Sequence, residues 1–164
     1  GYISEINLSA RHFIHSLGSI LQKGAILLID YGFGRSEYYH PQRGRGTLMC
    51  HYRHHAHDDP FYLPGLQDIT SHVDFSAIAN AAASADFALL GYNTQAHFLI
   101  NCGIIDILAE VSPENPGAYL PLANQLQKLV SPAEMGELFK AIAFGRDIST
   151  PLTGFTSGDK SRLL

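Results

Sequence analysis

The carboxylates of this chain stand where they could bind a cation at the edge of a sheet. Asp30 directly follows the apolar run 25–29, and the carboxyl ends of buried strands border the ligand crevice in open α/β folds. A carboxylate there can pair with a guanidinium through charge-assisted hydrogen bonds and aim one of its nitrogens. Asp68, Asp74 and Glu5 are further candidates. Structural alternatives stay open: a helix N-cap for Asp74, a turn cap for Asp68, and a structural role for Asp30.

Histidines cluster in the polar segment that follows. Those at 51 and 55 have the i, i+4 spacing that places two zinc ligands on one helix face. However, Tyr52 stands where a zinc hydrolase carries its catalytic glutamate, and the segment lacks helical periodicity. The Gly-Phe-Gly run 32–34 likewise resembles a dinucleotide loop but lacks the third glycine. We therefore expect a solvated basic loop and no metal site, with a metal hydrolase as the alternative.

The composition is that of a folded domain with a sizeable core. The chain has 164 residues, of which 46% are hydrophobic and 16% charged. Its formal net charge of −4 argues against a general nucleic-acid binder, and no apolar run is long enough to cross a bilayer. Cys50 and Cys102 lack CxxC spacing, which indicates two reduced thiols in a cytosolic or matrix protein.

Hydrophobic periodicity predicts helices alternating with short buried strands, which is typical of a doubly wound α/β fold. A helix over 5–22 with Ser4 as its N-cap precedes a strand at 25–29 that we expect to be buried on both faces of a parallel sheet. The segment 32–70 lacks periodicity and is predicted to be an irregular connection on the substrate side. The remaining predictions are helix 74–84 capped by Asp74, strand 87–90, turn 91–94, helix or strand 95–101, helix 104–111, loop 112–121, helix 122–130, a capping box at 131–134, helix or strand 135–144, and an irregular tail 145–164. We expect one structural unit over 1–164.

An ordered set of short motifs runs along almost the whole chain, although no single motif is specific. The set comprises Ser4-Glu5-Ile6, Ile29-Asp30-Tyr31-Gly32, Gly46-Thr47-Leu48, Tyr52 with His54, Gly65 with Asp68-Ile69-Thr70, His72-Val73-Asp74-Phe75, Thr94-Gln95 with Phe98-Leu99, Gly103-Ile104, Met135-Gly136 with Phe139-Lys140, and Leu152 with Gly154-Phe155. In this order the motifs resemble the MidA-type S-adenosylmethionine-dependent methyltransferases. That family includes the mitochondrial assembly factor that methylates an arginine of respiratory complex I.

The resemblance implies the C-terminal part of a class I, Rossmann-like methyltransferase sheet of seven strands. Residues 25–29 would form its fifth strand, 87–90 its sixth, and part of 135–144 the final antiparallel one. The family binds S-adenosylmethionine through a Gly-rich loop after its first strand and an acidic residue after its second. Those elements would lie upstream of Gly1, so the cofactor-binding residues stay unknown and we expect this chain to be inactive alone.

The resemblance also implies roles for individual residues in arginine methylation of a protein substrate. Asp30 and Asp68 would be the catalytic carboxylates that orient the guanidinium. The expected substrate-binding residues are Glu5, Tyr31, Gly46, Thr47, His54, Thr70, His72 and Gln95. The expected partner is a respiratory complex subunit, with neither nucleic acid nor membrane insertion, and a homodimer is left open. The location would be the cytoplasm in a bacterium or the mitochondrial matrix, and the alternative function is a non-catalytic binding or assembly module.

Overall fold

A computed structural model describes all 164 residues and consists of seven helices and seven strands. Their order along the chain is α1 (Leu8–Ile20), β1 (Gly24–Phe33), α2 (Arg35–Tyr38), β2 (Met49–Tyr52), β3 (His55–His57), β4 (Asp68–Thr70), β5 (Val73–Asp74), α3 (Phe75–Ser84), β6 (Ala88–Thr94), α4 (Gln95–Asn101), α5 (Ile104–Ala109), α6 (Pro116–Val130), α7 (Met135–Leu138) and β7 (Phe139–Arg146). Short 3-10 turns follow α2 and occupy two places in the tail. The predicted α/β class is confirmed.

A four-stranded sheet in the order β5-β1-β7-β6 forms the centre of the molecule. The strand β7 runs antiparallel to both β1 and β6, so β1 and β6 run parallel to each other. Their carboxyl ends therefore meet at the same edge of the sheet, on either side of the start of β7. The short strand β5 extends this edge, because it pairs in parallel with the last two residues of β1.

The core lies between this sheet and the helix pair α1 and α3. Ile14 of α1 and Phe75 of α3 pack there against Tyr92 of β6 and against Ile142 and Phe144 of β7. Burial of such apolar surface is the main favourable contribution to folding. It also fixes where the amino ends of both helices lie, beside the carboxyl edge of the sheet.

The strand predicted at 25–29 is longer and less buried than expected. It extends from Gly24 to Phe33, and its main partner is the antiparallel β7. Successive side chains of a strand point to opposite faces, so only alternate residues reach the core. Leu27 and Ile29, on the other face, are 47% and 45% exposed. The expectation of burial on both faces of a parallel sheet is therefore wrong for this chain.

The first helix begins three residues later than predicted. Asn7, and not Ser4, is its N-cap, with Oδ1 accepting a hydrogen bond from the amide of Ala10 at 2.9 Å. The residues before it stay extended because they pair with the loop after α2, where the amide of Ile3 donates to the carbonyl of Gly44 at 2.9 Å. For α3 the prediction of Asp74 as the N-cap is confirmed, because Asp74 Oδ1 accepts a hydrogen bond from the amide of Ala77 at 3.0 Å.

The segment 32–70 is more ordered than its lack of periodicity suggested. It holds α2 and a second sheet of three short strands in the order β3-β2-β4. Strands of three or four residues are too short to show alternation, and the β2–β3 turn uses left-handed backbone at Arg53 and His54 without glycine. The expectation of an irregular connection is therefore wrong in part.

In the second half, three predictions are corrected and two that were left open are decided. The expected turn 91–94 continues β6, and 95–101 is the helix α4. Helix α6 begins at Pro116. Proline is tolerated in the first turn of a helix because the amide that it lacks would have no hydrogen-bond partner there. The loop predicted to reach residue 121 therefore ends before Pro116. The capping box is wrong, because Ser131 Oγ accepts from the amide of Ala133 in a local turn and α7 starts after Glu134. The undecided stretch 135–144 is helix and then the central strand β7.

Candidate functional site

The register of the main sheet places three polar residues in a row at its carboxyl edge. Lys140, near the start of β7, stands opposite Asp30 of β1 on one side and Thr94 of β6 on the other. Asp30 is exposed, and its Oδ1 accepts only the amide of Tyr31 at 2.8 Å. Its other carboxylate oxygen has no partner within the protein. An unengaged carboxylate at this edge is available to a cationic ligand.

Glu5 connects the extended N-terminal segment to the loop above this edge. Its Oε1 accepts hydrogen bonds from the amide of Thr47 at 2.8 Å, from the Thr47 hydroxyl, and from the hydroxyl of Tyr38 at 3.0 Å. Burial pushes the pKa of Glu5 upward, but these bonds push it further down, so it lies below its ordinary value. Glu5 is therefore held as an anion that fixes the position of Thr47.

Gly46 allows the loop to pass close to Glu5. Its φ is +74°, in the left-handed region, and a Cβ built on it would lie 2.1 Å from Glu5 Oε2. Gly46 and Thr47 therefore form a tight backbone passage. Its function is to bring the Thr47 amide and hydroxyl onto one carboxylate oxygen.

An aromatic cluster continues from Thr47 to the end of β1. The Thr47 hydroxyl accepts the amide of His72 at 2.9 Å. The His72 ring stacks on Phe33 with centroids 5.0 Å apart and meets the edge of Tyr31 at 5.1 Å. Burial, followed by the nearby Arg43, lowers the pKa of His72 below its ordinary value. The imidazole is thus kept neutral, and its buried Nδ1 has no hydrogen-bond partner.

Two cations approach the other face of this cluster. The guanidinium of Arg43 lies 4.0 Å above the Phe33 ring, and its Nε donates to the carbonyl of Glu37 at 3.0 Å. The Lys140 ammonium is 5.6 Å from the same ring and donates to the carbonyls of Glu137 and Leu138. Burial lowers the pKa of Lys140. Phe33 thus shows that this edge accommodates a guanidinium on an aromatic face.

A cavity of about 420 Å³ opens beside these cations, above β6 and β7. Phe33, Lys140 and Tyr92 line it together with the carboxylates of Glu37 and Glu137. Glu37 is 3.7 Å from Arg43 and Glu137 is 3.6 Å from Lys160, both in half-exposed ion pairs. Both signs of charge therefore surround one opening at the carboxyl edge.

The structure places six of the ten predicted site residues in one region. Asp30, Tyr31, Glu5, Gly46, Thr47 and His72 all lie at the end of β1. Gln95 begins α4 at the same edge, two strands away, where its amide donates to the carbonyl of Leu129 at 2.9 Å.

The other three predicted residues lie in the small sheet. His54 is exposed in the β2–β3 turn, and Asp68 of β4 is exposed opposite His51. Thr70 donates to the carbonyl of Met49 at 3.2 Å. No contact joins Asp68 to Asp30, so their shared catalytic role stays a prediction.

Sequence reasoning missed Phe33, Arg43, Tyr38 and Lys140 as parts of this edge. Nothing in the sequence distinguishes Phe33 and Tyr38 from the other aromatic residues, or Arg43 from the other arginines of the same segment. Lys140 did carry a signal, because a lysine inside an apolar run is rarely buried without a reason. The histidine cluster lies on strands, so the i, i+4 spacing puts no pair on a helix face. No group of three or more His, Cys, Asp and Glu side chains is arranged to hold a metal ion.

The fold and this edge define an α/β domain whose ligand crevice lies at the carboxyl ends of parallel strands. Comparison with known proteins gives the family. The sequence model of a family of putative S-adenosyl-L-methionine-dependent methyltransferases matches residues 1–93. The chain belongs to this family, and the family prediction is confirmed.

Curated relatives are identical to this chain at about a third of the aligned positions. The mitochondrial protein arginine methyltransferase NDUFAF7 of Danio rerio is 33% identical over 118 residues, covering 71% of this chain and 26% of the relative. Its counterpart in Mus musculus is 35% identical over 123 residues, covering 73% and 26%. The chain spans about a quarter of the length of these relatives.

Solved structures from Burkholderia thailandensis match the whole chain. An uncharacterized protein is 55% identical with a TM-score of 0.97, covering 100% of this chain and 44% of that one. A related protein crystallised with S-adenosyl-homocysteine is also 55% identical, with a TM-score of 0.95 and coverage of 100% and 42%. None of the helices described here has the length and hydropathy needed to span a membrane.

Proposed function

We propose that this chain forms the acceptor side of the cleft in an S-adenosylmethionine-dependent protein methyltransferase that acts on arginine. Family membership supports the methyl transfer, and the S-adenosyl-homocysteine bound by the related bacterial protein supports the cofactor. The names of the relatives from zebrafish and mouse support the arginine acceptor. The resemblance of the motifs to the MidA-type family makes a respiratory complex subunit the proposed protein substrate in a mitochondrion.

The unengaged carboxylate of Asp30 is the observation that carries the acceptor assignment. Methyl transfer from a sulfonium is a direct displacement, so the acceptor nitrogen must be held in line with the methyl carbon. Asp30 would bind the guanidinium through the oxygen that the Tyr31 amide leaves free. Tyr31 follows Asp30 in β1, so its ring lies on the opposite face of the strand, against His72 and Phe139, and would border another part of the substrate.

Other residues would shape the pocket without touching the methyl group. Glu5 holds the Thr47 loop, and Thr47 in turn holds the backbone of His72. His54 and Thr70 would contact more distant parts of the substrate protein, and Asp68 would add a second carboxylate when the substrate is bound. Gln95 is buried and bonded to the carbonyl of Leu129, so it would support the wall of the pocket from behind. S-adenosylmethionine supplies the methyl group when bound, and we assign none of its ligands within this chain.

A non-catalytic binding or assembly module is the second candidate. It rests on the opening at the carboxyl edge that is surrounded by both signs of charge, which could bind a protein partner whether or not a methyl group is transferred. The two candidates differ in one observable, namely whether the protein at its natural length transfers a methyl group.

The test mixes the protein isolated at its natural length with radiolabelled S-adenosylmethionine and with its cellular interaction partners. The partners are then digested to find the labelled residue. We expect label in methylarginine, and we expect Asp30→Asn to lower kcat/KM about 100-fold, as loss of one orienting electrostatic contact does. Asp86→Asn is the matched control, because Asp86 lies in the turn before β6, at the opposite edge of the sheet.

Two results would count against the proposal. Unchanged activity of Asp30→Asn would remove Asp30 from the site. Absence of any transfer by the natural-length protein, together with retained binding to a partner, would establish the assembly module instead.

A further inference from the structure

A second cavity, larger than the one at the sheet edge, lies on the outer side of the molecule between α1, α2 and α3. It has a volume of about 620 Å³. Its polar lining is contributed by all three helices and comprises Arg11, His15, Arg35, Tyr39, Asp74, Asn80 and Ser84. The arginine acceptor site proposed above does not use this cavity.

Two arginines line this cavity without an acidic partner. Neither Arg11 nor Arg35 has a carboxylate oxygen within 4.0 Å, and neither guanidinium donates a hydrogen bond to the protein. Other arginines of the chain are engaged. Arg45 pairs with Asp58 at 2.8 Å, and Arg146 donates to three backbone carbonyls.

The Nε of Arg11 is buried and has no hydrogen-bond partner. A buried donor without an acceptor is costly, and a charged one more so, which makes it uncommon in folded proteins. The Nε itself is closed to solvent, so an anion in the cavity would be bound by the two terminal nitrogens of the Arg11 guanidinium, which have no partner in the protein.

The only carboxylate of the cavity is already in use. Asp74 caps α3 by accepting the amide of Ala77, and burial, followed by the nearby charge of Asp74, raises the pKa of Tyr39. Two guanidinium groups against one carboxylate leave the cavity positive by one charge. This local charge stands out because the whole chain carries −4.

We propose that this cavity binds a small anion through Arg11 and Arg35. The shared chemistry is a planar or tetrahedral group of oxygens, a carboxylate or a phosphate, which guanidinium groups bind in bidentate fashion. Asn80 and Ser84 supply further polar groups, and Ile6 and two alanines are its only other lining residues. This composition fits a hydrophilic ligand and offers little surface for a large apolar one.

The experiment titrates the natural-length protein with inorganic phosphate and, separately, with succinate, by isothermal titration calorimetry at low ionic strength. We expect saturable binding of one of the two, and the stronger of them identifies the ligand class. Arg35→Gln and Arg11→Gln should each weaken that binding about tenfold. Arg53→Gln, which removes an exposed arginine outside the cavity, should leave it unchanged.

Arg35→Gln keeps the test valid if the half-buried Arg11 proves necessary for folding, since the Arg35 side chain is exposed. Circular dichroism of each variant checks that the fold is intact. The proposal is overturned if neither anion binds, or if Arg53→Gln weakens binding as much as Arg35→Gln does. It does not depend on the methyltransferase assignment, because the readout is binding and not methyl transfer.

Discussion

Removal of the Glu5 carboxylate should loosen the loop that holds Thr47 and His72. Its Oε1 accepts three hydrogen bonds, and a bond to a charged group contributes about 1.5–3 kcal/mol. The three bonds share one oxygen, and Glu5 is half-exposed, so water replaces part of the loss. We therefore expect Glu5→Ala to lower the free energy of unfolding by about 2–3 kcal/mol.

A double-mutant cycle isolates the contact between Glu5 and Thr47. Thr47→Val keeps the side-chain volume but removes the hydroxyl that donates to Glu5 and accepts from His72. We expect a coupling free energy of about 1 kcal/mol between Glu5→Ala and Thr47→Val, measured by urea unfolding at pH 7. Glu114→Ala, in an exposed loop, is the control and should change stability by less than about 0.5 kcal/mol.

The pH dependence gives an independent check. The pKa of Glu5 is lower in the folded protein than its ordinary value of 4.5, so the folded state binds fewer protons near that pH. The stabilising effect of the charge is therefore present above pH 4.5 and is lost as the pH falls through the lowered value. The difference in stability between wild type and Glu5→Gln should shrink below pH 4.5. Additive effects in the cycle, or a difference that does not change with pH, would refute the argument.

Three further predictions concern the sheet edge and the thiols. Gly32→Ala should lower the free energy of unfolding in urea by at least about 3 kcal/mol, because the added Cβ would lie 2.2 Å from a backbone oxygen of β5. The control Gly117→Ala, in α6, should leave that free energy unchanged or raise it slightly. Burial lowers the pKa of Lys140, so the unfolded chain binds more protons than the folded one as the pH approaches 10.5. The free energy of unfolding of the wild type, relative to that of Lys140→Met, should therefore rise with pH. A difference between the two proteins that stays constant from pH 7 to 9.5 would contradict this. Ellman's reagent should modify one thiol quickly and the second only in denaturant, because Cys102 is exposed whereas Cys50 is buried and burial raises its pKa; two fast thiols would show that β2 opens readily.

The sequence by itself determined the α/β class and the residues at the end of β1. The apolar run 25–29 is short and flanked by glycines, which indicates a strand, and a polar segment after such a strand falls at the carboxyl edge of the sheet. Asp74 could be assigned as a helix cap because the N-cap interaction is local and spans only three residues. The family followed from the order of motifs, each of which was too short to identify it alone.

Only the tertiary structure decided which polar residues meet. Glu5 and Thr47 are 42 positions apart, and their contact depends on how the N-terminal segment pairs with the loop after α2, which no local pattern encodes. The same holds for Lys140, whose place between Asp30 and Thr94 is set by strand register. Asp68 and Asp30 lie in different sheets, because three short strands that show no periodicity form a sheet of their own. Local propensity acts over a few residues, whereas the site is assembled by long-range pairing.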